Sequence, residues 1–312
     1  MQKLHFACKQ NPDYYPFSGE SYLYNSADYI ALKTPRFGTP LTFYALRGAK
    51  AVARIHFFQQ QNSYSEAEAV SLPESPFGSL EFGVVTEEEL KDFVRYVTDH
   101  LREEGIGRVT VKDCITAYRL QAQISVTHVL KEAGFRPAES LPNHHIRVDT
   151  DEILNKMSRS KRRRIQLCKE AGISAQKCQS ESFTDIYDFI ARCYASKGRK
   201  LSLSGEQLQE QFYQYPQYWR LFVARYGSEM VAACIAVQVH PHILYTFYYA
   251  ASSDYDFYSP TTLLLQAVYQ DCREKNIAIL DLGTSNAASV AHFKKHMGGQ
   301  HSFKHTYQLK LR

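Results

Sequence analysis

The sequence lacks any apolar run of the roughly 18 residues that a transmembrane helix needs, so we expect no membrane span. Its first residues contain no apolar stretch of signal-peptide length, and none of its seven cysteines forms a Cys-x-x-Cys motif. Scattered cysteines in odd number are typical of reduced thiols and not of a disulfide framework. We therefore expect a cytoplasmic protein.

The sequence also lacks the short motifs of several enzyme classes. It has no Gly-x-Ser-x-Gly, Walker loop or Gly-x-Gly-x-x-Gly, so hydrolase and NTPase functions find no support. His292 and His296 have the i, i+4 spacing of a metal-binding helix, but the Glu of His-Glu-x-x-His is missing between them. We predict no metal site.

Acidic residues are scarce in one stretch. Between Lys156 and Lys177 there are eight Lys or Arg residues but a single acid, Glu170. Cations together with the abundant Tyr and Phe would suit a polyanionic or sugar-containing partner. A solvated helix face explains the same charge run equally well.

Hydrophobic periodicity predicts a similar order of elements in the two halves of the chain. The first half is predicted to contain strands at 41–47 and 51–58, a helix at 86–104, a strand at 108–112, a helix ending at 135 and a strand at 145–149. The second half is predicted to contain a basic helix at 151–171, helices at 183–194 and 205–213, strands at 219–225, 230–240 and 243–251, a helix at 261–275, a strand at 277–282, a helix at 288–297 and a strand at 303–311.

This order predicts an α+β fold of two domains, 1–150 and 151–312, with the junction near Asp149–Ile153. Each domain is expected to be a mixed, mainly antiparallel sheet flanked by helices. Thr86 and Glu89 make a capping box at the start of one predicted helix.

A set of short pieces in the second half carries a family resemblance. In chain order they are Ser160-Lys161-Arg162-Arg163-Arg164-Ile165, Val231-Ala232-Ala233, Tyr248-Tyr249, Ser259-Pro260, Asp281-Leu282-Gly283-Thr284-Ser285, Phe293-Lys294 and Gly298-Gly299. Together they resemble the Fem-type peptidyltransferases and FemAB-like proteins, which are tandem GNAT acyltransferase folds. The resemblance covers about residues 160–299, and the first half matches in pattern only.

The resemblance implies an N-acyltransferase that transfers an aminoacyl or acyl group to an amine, with a peptidoglycan precursor of the cell wall as the expected acceptor. It implies no permanently bound cofactor, and aminoacyl-tRNA or acyl-CoA as the donor. The long helical-hairpin insertion of the larger family members is missing here, which weakens the case for tRNA. DNA is not an expected partner.

The resemblance also implies that Lys294 stabilises the carbonyl oxygen as it becomes negative, although an ordinary surface lysine would fit the sequence too. Asp281 ends a predicted strand and could act as a general base, orient the amine or bind a backbone N–H. Tyr249 could place a phenol in the crevice or pack in the core. The expected substrate-binding residues are Arg163, Arg164, Ser259, Thr284 and Phe293, with Arg163 holding a phosphate.

A loop without glycine, at residues 254–260, bears on whether the donor is acyl-CoA. Acyl-CoA-dependent GNAT enzymes usually carry an Arg/Gln-x-x-Gly-x-Gly/Ala loop, whereas residues 254–260 contain no glycine that would let backbone approach a phosphate. In the first half, residues 75–78 fit no better, and Asp113-Cys114 stands where the second half has Asp281-Leu282-Gly283. We therefore expect the first half to shape a substrate groove and not to catalyse.

Two alternatives stay open at this point. One is an acyl-CoA-dependent GNAT N-acetyltransferase. The other is a non-catalytic tandem GNAT protein that binds RNA or another anionic partner through residues 161–164.

Overall fold

The computed structural model describes residues 3–61, 66–119, 124–178 and 183–311, which form an α+β fold. Its strands are β1 (His5–Lys9), β2 (Leu41–Arg47), β3 (Lys50–Gln61), β4 (Ala67–Val70), β5 (Glu81–Phe82), β6 (Arg108–Lys112), β7 (Arg136–Arg147), β8 (Ile173–Cys178), β9 (Trp219–Tyr226), β10 (Glu229–His240), β11 (Ile243–Ala251), β12 (Ile279–Thr284) and β13 (Gln300–Lys310). Its helices are α1 (Ala27–Phe37), α2 (Glu87–Glu103), α3 (Val126–Glu132), α4 (Ile153–Lys156), α5 (Arg159–Glu170), α6 (Phe183–Ala195), α7 (Gly205–Gln214), α8 (Pro260–Glu274) and α9 (Ala288–His296). None of the helices in these ranges is both long enough and apolar enough to cross a membrane.

The chain divides into two compact units. Unit 1 contains Met1–Leu141 together with Phe303–Arg312, and unit 2 contains Pro142–Ser302. This division differs from the predicted one, which places the junction near Asp149–Ile153 and residues 303–312 in the second half. The cause is an exchange of strands between the two predicted halves. In unit 1, β13 pairs antiparallel with β6, and in unit 2, β7 pairs antiparallel with β12.

Unit 1 contains the sheet order β1-β2-β3-β4-β6-β13, in which only β4 and β6 run parallel. Helix α2 covers this sheet with an apolar stripe that includes Leu90, Phe93 and Leu101, all fully buried. Its start confirms the predicted capping box. The Thr86 hydroxyl accepts the Glu89 N–H at 3.2 Å, and the Glu89 carboxylate accepts the Thr86 N–H at 2.8 Å.

Unit 2 contains the sheet order β7-β12-β11-β10-β9-β8, in which only β11 and β12 run parallel. Helix α8 contributes Leu264 and Val268 to its core, where they join Cys234 of β10 and Leu280 of β12. All four are fully buried, and burying a side chain of leucine or valine size stabilises a fold by about 1.5–3 kcal/mol. This core fixes α8 on the sheet and so sets where its first turn lies.

The basic segment of unit 2 is two helices and not the single helix predicted over 151–171. Met157 is extended between α4 and α5, and the Ser158 hydroxyl accepts the Lys161 N–H as the N-cap of α5. A serine can offer the backbone this alternative to a continuous helix, which explains the break. The Ser158 N–H also donates to the His296 carbonyl at 2.9 Å, so the start of α5 is fastened to the end of α9.

Candidate active site

Two parallel strands of the unit 2 sheet part, and the gap between them is called the crevice below. β11 and β12 pair only from Ile243–Ile279 to Tyr245–Asp281, although β11 continues to Ala251. The register against β10 also skips Phe247, so β11 bulges just beyond the last pair. Backbone groups past this point lack the partner strand that a ladder would supply. The parting of the two strands was not part of the sequence prediction.

Asp281 lies at the mouth of this crevice and is almost fully buried. Its Oδ1 accepts the Gly283 N–H at 2.7 Å and the Asn143 amide N–H at 2.8 Å. Its backbone carbonyl accepts the Thr246 hydroxyl at 3.0 Å. These bonds fix the carboxylate in place, and they include the backbone contact that the sequence leaves open as an alternative to catalysis.

Lys294 projects from α9 into the same place and is only 2% exposed. Its Nζ donates to the Gly283 carbonyl at 2.9 Å and to the Thr284 carbonyl at 2.6 Å. Burial lowers the pKa of Lys294 from 10.5 to about 8, while the nearby charge of Asp281 opposes that change. Lys294 is therefore not an ordinary surface lysine. It is a held cation that stays mostly protonated at neutral pH.

Two glycines shape the backbone around Lys294. Gly283 has φ +76°, a backbone conformation that favours glycine, and a Cβ there would lie 3.4 Å from the Tyr245 ring. A Cβ on Gly299 would lie 2.6 Å from the Lys294 carbonyl oxygen. Any side chain at position 299 would therefore displace the end of α9.

Tyr249 on β11 is partly buried against the unit 2 core. Burial raises the pKa of Tyr249, and the charge of Asp281 adds to the rise, as it also does for Tyr245. Lys294, Asp281 and Tyr249 thus share one electrostatic neighbourhood. Their catalytic roles stay predictions.

Two polar residues that sequence reasoning missed, Asn143 and His144, complete this cluster. Asn143 holds Asp281, and His144 Nδ1 lies 3.1 Å from the Ser285 hydroxyl. Burial lowers the pKa of His144 to about 4, and the Lys294 charge contributes. From the sequence, one can say only that adjacent residues of a strand, such as Asn143 and His144, face opposite sides of the sheet. Nothing in it indicates that the strand carrying Asn143 and His144 pairs with the strand of Asp281.

The remaining predicted residues divide between this cluster and the surface around it. Thr284 contributes its carbonyl to Lys294, whereas Ser259 is the residue before α8, where its hydroxyl lies 3.1 Å from that of Thr262. Phe293 is partly buried and offers its ring to the Lys161 ammonium at 4.2 Å. Phe293 therefore connects α9 to the basic helix α5.

The two predicted arginines have different surroundings. Arg164 donates to the Phe257 carbonyl, and its guanidinium lies 5.4 Å from the Phe257 ring. Arg163 is exposed, and no partner for it is recorded in the part of the chain that the structure describes. Neither arginine contacts the Lys294 cluster directly, so the structure does not bring all of the predicted site residues together.

The loop before α8 uses most of its own backbone donors internally. The N–H groups of Asp256, Tyr258, Ser259 and Thr262 all donate to carbonyls within residues 253–259, and Pro260 has no N–H. A phosphate cradle needs several N–H groups turned toward the ligand. The geometry of this loop therefore does not favour a diphosphate, in line with its lack of glycine.

The corresponding place in unit 1 is filled by the chain itself. β4 and β6 pair in parallel only as far as Val70–Thr110. Beyond that point the Ser71 hydroxyl accepts the Lys112 N–H at 2.8 Å, and the Gly78 N–H donates to the Lys112 carbonyl at 2.8 Å. A segment of unit 1 thus satisfies strand groups whose counterparts in unit 2 face a crevice.

Metal-binding geometry is not apparent in the described ranges, which contain no group of three or more His, Cys, Asp or Glu side chains placed to hold an ion. The His292 and His296 rings lie 4.1 Å apart on α9. Two imidazoles alone do not make the four-ligand set of a structural zinc site.

Comparison with known proteins shows which family model and which solved structures this chain is similar to. Residues 155–295 match the family model described as an acetyltransferase (GNAT) domain. No curated protein sequence matches the chain. Many solved structures are similar to it, and three of them are described next.

The crystal structure of FemX aligns with a TM-score of 0.73 at 11% identity, covering 94% of this chain and 93% of that chain. A tandem GNAT protein from the clavulanic acid biosynthesis pathway aligns with a TM-score of 0.54 at 10% identity, covering 99% of both chains. L-PGS from Bacillus licheniformis aligns with a TM-score of 0.53 at 15% identity, covering 84% of this chain and 82% of that chain. The chain has a Fem-like tandem GNAT fold, which confirms the predicted fold class.

Proposed function

We propose that unit 2 catalyses the transfer of an aminoacyl or acyl group from an activated donor to an amine. The observation that carries the proposal is the buried Lys294 cation, held by two carbonyls beside Asp281 at the point where β11 and β12 part. A fixed, buried cation suits a reaction that creates negative charge on a carbonyl oxygen. The match of residues 155–295 to a GNAT domain supports the same class of reaction.

The chemistry is aminolysis of an ester or thioester. The amine forms a C–N bond to the donor carbonyl carbon, and the carbonyl oxygen becomes negative. An ammonium group has three N–H donors, and Lys294 spends two on Gly283 and Thr284, which leaves one for that oxygen. Collapse of the intermediate breaks the C–O or C–S bond, the amine nitrogen loses one proton, and the leaving oxygen or sulfur gains one.

Asp281 and Tyr249 have complementary roles in this scheme. The Asp281 carboxylate, fixed by Asn143 and Gly283, orients the amine and attracts its proton. Tyr249 is protonated at neutral pH, as an ordinary tyrosine is, and burial raises its pKa further. Its phenol is therefore able to donate a proton to the leaving oxygen or sulfur.

Aminoacyl-tRNA is our preferred donor and acyl-CoA the alternative. The loop before α8 uses most of its backbone donors internally and has no glycine, whereas α5 presents the exposed Arg163. Guanidinium groups bind phosphate oxygens well, and a tRNA end supplies them without needing a glycine loop. The sequence resemblance to Fem-type enzymes implies a peptidoglycan precursor, which we propose as the acceptor class, with unit 1 shaping a substrate groove.

The first test replaces Lys294 with methionine and compares it with a matched change at its neighbour. Lys294→Met should lower the transfer rate by about 10²–10³-fold, because one fixed oxyanion donor is lost. Lys295→Met removes an exposed cation from the same helix and should leave the rate nearly unchanged. The measurement is transfer of a labelled acyl group from aminoacyl-tRNA or acetyl-CoA to an amine panel. A Lys294→Met rate equal to that of the unmodified protein would remove the proposed role.

The same assay separates the donor hypotheses. Transfer from aminoacyl-tRNA alone supports the preferred donor, and transfer from acetyl-CoA alone supports the alternative. If neither donor reacts but RNA still binds in a salt-sensitive manner to the Lys294→Met protein, the non-catalytic binding function replaces the enzyme proposal.

A further inference from the structure

Unit 1 contains a cavity of about 450 Å³ whose lining includes no residue of the Lys294 cluster. Ligand pockets typically measure about 300–1,000 Å³ and carry a few polar groups among apolar walls. Here the polar lining comes from Glu20, Tyr22, Glu81 and Arg119, and Leu80 and Phe82 add apolar surface.

One wall is built from two closely spaced backbone segments. A Cβ on Gly83 would lie 3.2 Å from the Gly19 Cα, so both positions favour glycine. The Gly83 N–H donates to the Val52 carbonyl at 2.8 Å, and the Ser18 N–H donates to the Ala51 carbonyl at 2.9 Å. Both segments are therefore fastened to β3, and the wall of the cavity is rigid.

Arg119 provides the positive end of the cavity. Its side chain is 10% exposed and forms a two-pronged ion pair with Asp113, in which NH1 donates to Oδ2 at 3.2 Å and NH2 donates to Oδ1. A guanidinium has five N–H donors, so this pair leaves donors for a ligand. Asp113 meanwhile fixes the plane of the guanidinium, which prepares it to bind a carboxylate.

Glu81 provides a fixed carboxyl group on the other side. Its Oε2 accepts the Arg54 Nε–H at 2.7 Å, and its Oε1 accepts the Tyr22 N–H at 2.7 Å. The Arg54 guanidinium in turn lies 4.5 Å from the Phe17 ring. Burial raises the pKa of Glu81, and its ion pair with Arg54 opposes the rise.

The charges around the cavity do not favour a phosphate. The acids Glu20, Glu81 and Asp113 outnumber the bases Arg54 and Arg119 by one. A dianion would meet net negative surroundings, whereas a ligand that carries one ammonium and one carboxylate would not. Its carboxylate would face Arg119, and its ammonium would face Glu20 at the exposed rim.

We infer that this unit 1 cavity is a binding site for a small zwitterion of the α-amino acid class. Arg119, positioned by Asp113, binds the carboxylate, and Glu20 attracts the ammonium. The site is independent of the acyl-transfer chemistry proposed for unit 2.

The test is isothermal titration calorimetry of the full chain with each protein amino acid in turn. At least one should bind saturably. The same compound without its carboxylate, the same compound without its amine, and inorganic phosphate should each bind far more weakly. For L-alanine the first two controls are ethylamine and propionate.

Amino-acid binding by variants tests whether the ligand occupies the unit 1 cavity. Arg119→Lys should weaken binding by about 10- to 100-fold, because a charge-assisted hydrogen-bond fork is lost. Glu20→Gln changes an exposed residue, should leave the fold intact and should also weaken binding, whereas Glu103→Gln, an exposed change outside the cavity, should not. Lys294→Met should bind as the unmodified protein does, which separates this site from the proposed reaction. The inference would be overturned if no amino acid gave saturable heat, or if phosphate bound as tightly as the best amino acid. Unchanged binding in both Glu20→Gln and Arg119→Lys would also overturn it.

Discussion

At the scale of single residues, Lys294 shows how burial turns a common side chain into a specialised one. Its ammonium donates to two backbone carbonyls in place of water. The one opposite charge that shifts the pKa of Lys294 is the carboxylate of Asp281. Desolvation disfavours the charged form, so the proton is held less tightly than in water. The same burial therefore links transfer rate and stability to pH.

The transfer rate should depend on the protonation of Lys294. Because its pKa is lowered to about 8, the rate advantage of the unmodified protein over Lys294→Met should be full near pH 7 and shrink as the pH rises through about 8. Taking the ratio of the two rates cancels the separate effect of deprotonating the acceptor amine. A ratio that stays constant to pH 10 would contradict the assigned role of the cation.

The stability that Lys294 contributes should rise with pH, whereas its rate advantage falls. Between about pH 8 and 10.5 the unfolded chain keeps the Lys294 proton while the folded chain has lost it. The free energy of unfolding relative to Lys294→Met should therefore rise across that window, by at most about 1.4 kcal/mol per pH unit. Urea unfolding of both proteins at several pH values measures this difference. A difference that falls with pH would show that the lysine is not buried as a cation.

At the scale of elements, α5 uses its cations unequally. Arg162 donates to the carbonyls of Leu154 and Met157, and Arg164 binds the loop before α8. Lys161 lies over the Phe293 ring, and burial lowers its pKa. These three cations fasten α5 to its neighbours. Among the four cations of residues 161–164, Arg163 is therefore the best placed to bind a ligand.

Arg163→Ala should weaken binding of an anionic donor and reduce the slope of log K against log salt by about one. Lys169→Ala removes another exposed cation from the far end of the same helix and serves as the matched control. Binding of aminoacyl-tRNA at several salt concentrations measures both variants. If the two variants behave alike, α5 acts only as a general positive face.

At the scale of the whole molecule, exchanged strands make the predicted halves unsuitable as separate proteins. Tyr307 of β13 is fully buried in the unit 1 core, and its hydroxyl lies 2.7 Å from that of Thr127. β6 pairs with β13 along its whole length. Residues 1–150 alone therefore lack one strand of the unit 1 sheet.

A fragment of residues 1–141 should unfold at a lower urea concentration than the same fragment joined through a flexible linker to residues 303–312. The missing strand leaves the β6 edge unpaired and opens the core around Thr127. Circular dichroism during urea unfolding measures the difference, and a linked peptide of scrambled 303–312 sequence is the control. Equal midpoints for all three proteins would show that β13 contributes little.

The sequence by itself determined many of the elements, because their periods and caps are local. The α2 capping box, the strand at Leu41–Arg47 and the α+β fold class all follow from spacing along the chain. Family resemblance added Lys294 and Asp281, whose motifs are also short. Tertiary structure alone decided that β7 supplies Asn143 and His144 to this cluster, that β13 completes unit 1, and that unit 1 fills its own crevice. Strand partners that are distant in sequence are chosen by burial and pairing in three dimensions, and no local pattern records that choice.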